Sequence, residues 1–232
     1  MRARKLIILG AGAHAKVLVD LAGQLPDWEL AGLLDDASSK QSTDVFGFPV
    51  LGRTNQLRAI AAEKLVDAAA LAFGDNATRR RYFEFVRKTG IEPATLVHPS
   101  AVISPHARLG AGVVVLAAVV VNAGAVIGDN VCLNTGCSID HDCRVEDHSH
   151  VFPNATLTGG VQVCSGATIG ANAVVNPNLK IGRNAVAGAG AVVIRDIEDG
   201  QVVAGNPARP LESRLARADG PDKADGDCSR ER

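Results

Sequence analysis

At 232 residues the chain can hold one large domain or two small ones, and a formal net charge of −1 excludes the basic balance of a nucleic-acid binder. No apolar run approaches the roughly eighteen residues of a membrane span. Met1 to Lys5 leads straight into a strand with no small-residue cleavage site behind it, so a soluble, cytoplasmic protein without membrane insertion is expected.

The first element is a buried strand, Lys5 to Leu9, followed by Gly10, Ala11, Gly12, Ala13, His14, Ala15 and an apolar helix through Val17, Leu18 and Leu21. G-x-G-x-x-A between a strand and a helix brings backbone N–H groups and a helix N-terminus close to a phosphate. A second strand, Leu30 to Leu34, runs into Asp35 and Asp36, where an acidic side chain can accept hydrogen bonds from a ribose or a base. Phe48 to Leu51 and Asp67 to Phe73 complete four expected strands. Helices are expected at Asn55 to Lys64 and at Asn76 to Lys88, the second capped by Asp75 or Asn76. This α/β, Rossmann-like portion holds a mononucleotide more comfortably than a dinucleotide. It is expected to form a nucleotide-binding domain over residues 1–93, with Gly90 to Leu96 as a linker.

From Val97 to Val193 the chain repeats every six residues. Sixteen of the seventeen residues at that spacing, beginning Val97, Ile103, Leu109 and Val115, are Val, Ile or Leu. The residue four places after each is nearly always small, and the residue three places after is Gly, Asn or Asp thirteen times in seventeen. A period of six fits neither a helix nor a hairpin sheet, so the repeat itself defines the fold. Large aliphatics point into a three-sided prism, small residues fit its corners, and Gly, Asn or Asp supply the positive φ of each turn. Three hexads make one coil, and coils stack as parallel strands about 4.8 Å apart. With its end cap this β-helix domain is expected over 94–211. The charged, aliphatic-poor remainder, 212–232, is expected to be disordered.

Five cysteines without a C-x-x-C pair fit a reducing compartment, and Cys137 and Cys143 fill small inward slots as compact apolar groups. The histidines sort by their place in the hexad. His141 lies between inward Ile139 and Cys143, so alternation turns it outward, flanked by Asp140 and Asp142. An imidazole oriented by a carboxylate can take a proton from a nucleophile. Asp142 also fills a turn slot, and an outward histidine is equally compatible with simple solvation. His148 fills a turn slot, and His98 and His106 belong to the first two hexads.

The unbroken hexads resemble the left-handed parallel β-helix of hexapeptide-repeat acyltransferases, an exception to the right-handed rule for parallel crossovers. The run Ser138, Ile139, Asp140, His141, Asp142, Cys143 through Asp147, His148, Ser149, His150, Val151, together with the G-x-G-x-H turn, resembles the bacterial nucleotide-aminosugar N-acetyltransferases related to sialic-acid O-acetyltransferases. The resemblance extends from Lys5 to about Pro210 and is greatest to the perosamine branch, whose acceptor is a GDP-linked 4-amino-4,6-dideoxy sugar. It implies acetyl-CoA as donor, no metal, a homotrimer with sites between subunits, and a place in lipopolysaccharide O-antigen biosynthesis. It also implies His141 as general base with Asp142 tuning it, and Gly12, Ala13 and His14 beside the nucleotide-sugar with Asp35 or Asp36. Phe73, Gly74, Asp75, Asn76, Ala77, Thr78, Arg79 resembles the loop closing over the nucleotide, which marks Gly74, Asn76 and Arg79 as substrate-binding. His150 and the Gly159 amide are expected by the acetyl thioester, with the pantetheine passing Gly170 and Ala171 toward Gly188 and Ala189. The run Gly205, Asn206, Pro207, Ala208, Arg209 resembles the cap strand that meets the adenylate end of coenzyme A, with Arg209 on a phosphate.

Direct transfer of acetyl to an amine needs no acyl-enzyme, and no serine or cysteine nucleophile stands beside His141 with a base in reach. A UDP- or dTDP-linked acceptor, or O-acetylation of a sugar such as sialic acid, stays open on the residues alone. A zinc enzyme would need three histidines on one face, which the spacing of 141, 148 and 150 does not supply. A nucleotide-binding β-helix scaffold without coenzyme A affinity is the non-enzymatic alternative.

Overall fold

The computed structural model describes residues 2–211, so the tail expected to be disordered lies outside the described residues, as does Cys228. The N-terminal part contains β1 (Arg4–Leu9), α1 (Ala13–Gly23), β2 (Trp28–Leu34), β3 (Asp44–Val45), β4 (Phe48–Gly52), α2 (Leu57–Ala62), β5 (Ala68–Leu71), α3 (Asn76–Thr89) and β6 (Glu92–Pro93). Its sheet runs β3-β4-β2-β1-β5-β6 and is parallel except for the β3–β4 pair. Leu6 and Ile8 bury on one face of β1, and Ile7 and Leu9 bury on the other, which explains why this strand reads as continuous apolar sequence.

Two strands were not expected. β3 and β6 are two residues each, too short to carry a period. β6 corrects the linker reading: Glu92 and Pro93 pair with Ala68 and Ala69 of β5, and Leu96–Val97 is already the first rung of the prism. Ala94 and Leu96 are buried in the core beneath α1, leaving no exposed joining segment between the two parts.

The prism is a left-handed parallel β-helix of two-residue strands in three sheets. Each strand pairs with the one eighteen residues on, as in Val115 with Leu133, Leu133 with Val151, and Val151 with Ile169. Inward Val115, Val121, Ile127, Leu133, Ile139 and Val145 form one buried column with the small corner residues Val119, Ala125, Cys137 and Cys143. The turn slot has positive φ, 55° at Asn130, 60° at Asp142, 64° at His148 and 57° at Asn154, as its Gly/Asn/Asp preference demands. Cys132, Cys137, Cys143 and Cys164 are free thiols. At the far end Val202–Ala204 and Arg209–Pro210 close the prism as an antiparallel pair.

The two parts share a core. Outward-facing Leu96, Val114 and Cys132 on one side of the prism pack with Ala15, Leu18 and Val19 of α1. That sheet face is therefore dry where the hexad pattern alone leaves it open to water.

Candidate active site

The glycine turn after β1 is shaped by close approach. Gly10 has φ 96°, and a Cβ there would come within 3.1 Å of the Ala72 carbonyl oxygen and 3.2 Å of the Phe73 ring. Gly12 is the N-cap of α1 and has no side-chain capping bond, while a Cβ on it would meet no protein atom. The first-turn N–H groups thus open onto a cavity of about 440 Å³ whose lining includes Gly12, Ala13, His14, Asp35, Phe73 and Gly74. Asp35 shapes this turn as well as lining the cavity, accepting from the N–H groups of Ala11 at 2.6 Å and Ala37 at 2.8 Å.

Asp36 is used differently from expectation. It accepts from the Thr54 N–H at 3.0 Å, from the Thr54 hydroxyl and from the Tyr82 hydroxyl at 2.6 Å, which ties β2 to α3 outside the cavity lining. Burial raises its carboxyl pKa, but bonds from Tyr82 and Thr54 outweigh this and hold it below the usual range. Asn76 and Arg79 also turn away from the cavity, toward the prism. Asn76 Nδ2 donates to the Gly166 carbonyl at 2.9 Å and to Thr168 Oγ1 at 3.0 Å. The Arg79 guanidinium is buried and donates to the carbonyls of Asn130, Phe73, His148 and Ser149. It clasps the prism from the N-terminal part instead of facing ligand, because Arg79, Phe83 and Val86 form the buried face of α3.

His150 is 2% exposed, in the prism sheet that the N-terminal part covers. Its ring stacks on Phe152 with centroids 4.0 Å apart, and His14 lies 6.4 Å away at the cavity wall. Burial lowers the pKa of both imidazoles, helped by the charge of Arg79, and brings His150 to about 3. Both are therefore neutral near pH 7.

His141 has the opposite environment. It projects from the turn between Ser138–Ile139 and Arg144–Val145, and its side chain is 64% exposed. Nδ1 lies 2.9 Å from Asp142 Oδ2. With Asp142 as acceptor, Nδ1 carries the proton, and in the neutral ring Nε2 is bare. The hydrogen bond to Asp142 raises the pKa of the imidazole, with the charge of Asp140 second. Asp140 is itself anchored, accepting from Asn122 Nδ2 at 2.9 Å and from the His141 N–H at 2.7 Å. Asp142 thus serves as both turn residue and imidazole partner. Gly159, one coil on, lies against the His141 ring.

Within one chain the His141–Gly159 corner and the His14–His150 wall are not brought together, since they lie on different sides of the prism. Gly170, Ala171, Gly188 and Ala189 stack at a third location, the corner that follows the covered sheet. Their smallness has a cause in the coil: a Cβ on Gly170 would lie 2.5 Å from the Ala189 nitrogen, and one on Gly188 would lie 3.1 Å from the Val203 carbonyl oxygen. Asn206 and Pro207 form the turn of the cap, and Arg209 lines a groove of about 240 Å³ with Val193, Arg195, Glu198 and Pro210. Asn134 and Phe152, which contact His150, carry no motif. Their signal is positional, since each follows an inward aliphatic, eighteen residues apart and directly below Gly170. Among the described residues no group of three or more His, Cys, Asp or Glu converges as a metal site.

Residues 5–86 match the family model of the PglD N-terminal domain. No curated protein matches the sequence significantly. Among solved structures, a point mutant of perosamine N-acetyltransferase from Caulobacter crescentus, in complex with CoA and GDP-perosamine, is 36% identical with a TM-score of 0.85, over 90% of this chain and 97% of that one. The acetyltransferase domain of PglB from Neisseria gonorrhoeae FA1090, in complex with acetyl coenzyme A, is 40% identical with a TM-score of 0.85, over 90% of this chain and all of that one. WeeI from Acinetobacter baumannii AYE is 25% identical with a TM-score of 0.80, over 89% and 99%. Identity at this level along the full length of two acetyltransferases carries the activity as well as the architecture: the chain belongs to the hexapeptide-repeat nucleotide-aminosugar N-acetyltransferases and is an acetyl-CoA-dependent acyltransferase.

Proposed function

We propose that the protein transfers acetyl from acetyl-CoA to the 4-amino group of a GDP-linked 4-amino-4,6-dideoxy sugar, with His141 as general base. The observation that carries this is the exposed His141 imidazole, held through Nδ1 by Asp142 at 2.9 Å with Nε2 bare above Gly159. The sugar amine gives a proton to Nε2 as its lone pair attacks the thioester carbon, Asp142 stabilises the imidazolium that forms, and the C–S bond then breaks with coenzyme A leaving as the thiol, which takes the proton back. Among the described residues the Gly159 N–H meets no acceptor, so it is available to a developing oxyanion. The open first turn of α1, with His14 and Asp35, takes the nucleotide diphosphate end of the acceptor. GDP-perosamine, bound by the Caulobacter relative, supports the choice of acceptor.

The separation of the His141 corner from the His14 wall supports a homotrimer in which neighbouring prisms complete each site. Gly170, Ala171, Gly188, Ala189, Asn206, Pro207 and Arg209 are the proposed coenzyme A path, and cytoplasmic O-antigen synthesis is the proposed setting. The test is acetyl-CoA consumption against a panel of GDP-, UDP- and dTDP-linked amino sugars. The GDP-linked 4-amino sugar is expected to give the highest kcat/KM, and turnover confined to another nucleotide or to a hydroxyl acceptor would overturn the assignment.

A further inference from the structure

His141 has a carboxylate on each side of it in sequence, and only one of them bonds its ring. Asp142 Oδ2 lies 2.9 Å from Nδ1. Asp140 is held elsewhere: its Oδ1 accepts from Asn122 Nδ2 at 2.9 Å and from the His141 backbone N–H at 2.7 Å. Those two bonds, that of Asn122 first, keep the Asp140 carboxyl below the usual range, so it is ionised. Asn122 reaches Asp140 because the strands before them pair, Val120 with Ser138 and Val121 with Ile139. The coil itself demands no amide at this place, since the corresponding residues of other coils are Ser104, Thr158, Asn176 and Ile194. The Asn122 backbone is secured by the ladder, its N–H donating to the Ile139 carbonyl at 2.9 Å, so the side chain is left for another use.

An unpinned Asp140 would compete for the imidazole. It is one residue from the ring, and its charge already acts on that ring. A second carboxylate bonded there would hold a proton on each nitrogen, and an imidazole with both nitrogens protonated accepts nothing. Asp140 and Asp142 are the charged groups that act on the ring, whereas the coils before and after it present Asn122 and Gly159, neither of them charged. We infer that Asn122 is a positioning residue for the base: by pinning Asp140 it leaves Asp142 as the acceptor of the imidazole and keeps Nε2 bare above Gly159. The inference rests on the general-base reading above and adds the residue, one coil away, that decides which of two carboxylates the ring answers to.

Asn122→Ala removes the pin and leaves the ladder in place. The kcat with a nucleotide-linked amino sugar is expected to fall roughly tenfold, the scale of one hydrogen bond to a charged group, with the KM for both substrates unchanged. The acidic limb of kcat should move to higher pH, because a freed Asp140 favours the protonated ring and the base works only unprotonated. A uniform loss of rate with the limb in place overturns the proposal. With Asp140→Asn already made, Asn122→Ala should cost less than about twofold more, since residues that act through one another do not add. A further tenfold loss in that background overturns it as well. Should the alanine variant fold poorly, Asn122→Ser takes its place, because its hydroxyl stops an atom short of the amide nitrogen and serine already occupies this place at Ser104. ¹⁵N-histidine NMR reads the same relationship without turnover. The neutral His141 ring of the wild-type protein should carry its proton on Nδ1, and the Asn122 variant should titrate at higher pH. A wild-type proton on Nε2, or a His141 titration that the variant leaves unmoved, overturns the proposal. Absence of turnover with every nucleotide-sugar, or full activity of His141→Asn, would sink the proposed function instead, and the NMR titration would still judge Asn122 separately.

Discussion

The imidazole of His141 occupies the space that a side chain at position 159 would need: a Cβ on Gly159 would fall within 2.6 Å of both Cε1 and Nε2 of the ring. The glycine is thus a condition for the placement of the imidazole, in addition to the N–H it offers in the proposed mechanism. Gly159→Ala is expected to push the ring aside and lower kcat about 100-fold, the effect of a misplacement of about 1 Å. Steady-state kinetics with an unchanged KM for the nucleotide-sugar would show that only the reacting centre moved.

His141→Asn keeps much of the shape and removes the proton acceptor, so kcat should fall by roughly 10²- to 10⁴-fold with a modest change in KM. Retention of more than about a tenth of wild-type kcat, below the usual general-base contribution, would exclude the base assignment.

The pH profile follows from the same pair. A base works when unprotonated, so the rate falls as pH drops through the His141 pKa, which Asp142 holds above the ordinary histidine value. Asp142→Asn removes the main cause of that shift. The acidic limb of kcat should move to lower pH, with a smaller loss of rate than in His141→Asn. A limb that stays in place would assign it to another group.

Mixing two inactive variants tests whether the site is shared. If the His14 wall comes from one subunit and the His141 corner from its neighbour, hybrids of His14→Ala and His141→Asn contain some sites with both groups intact. Co-refolding equal amounts should restore about a quarter of wild-type activity, the random-mixing value for a two-subunit site in a cyclic oligomer. No recovery, with hybrids confirmed by native mass spectrometry, would place both groups in one subunit.

Arg79→Met should cost about 2–4 kcal/mol, since it leaves the carbonyls of Asn130 and His148 without donors, and lower Tm by roughly 4–16 °C in a chain of this size. Thermal denaturation that matched wild type would show that the clasp contributes nothing to stability.

The period of six made the prism legible because one aliphatic in six points inward whatever the outward residues do. Inward residues such as Leu133 and Val151 are buried as that register requires. The outward residues were not legible in the same way. Cys132 and His150 occupy positions that alternate toward solvent, and only the α/β part packed above them makes them interior. His141 keeps the outward, carboxylate-flanked setting its position implied, as no element among the described residues covers its corner. Arg79 was expected to bind substrate from its place at the end of the loop Phe73 to Arg79, but it opens α3 and turns its guanidinium to the prism. Its spacing from Phe83 and Val86, four and seven residues on, was the available sign that it points inward. Asp35 and Asp36 are adjacent and alike in sequence. Only the positions of Ala11, Thr54 and Tyr82 separate their roles.

The eighteen-residue pairing restricts how such a protein can change length. Val121 stands beside Ile139, and Ile139 beside Leu157, so inserting or deleting a single hexad would carry every later residue round to the next side of the prism. His141 would then leave Gly159, and the covered sheet would lose His150. Only whole coils can be added or lost without scrambling the chemistry, and one added between His141 and Gly159 would still separate them by an extra layer. Natural variation in length among such chains should therefore fall in the end cap, in the turns, or in steps of one complete coil outside the segment from Asn122 to Gly159.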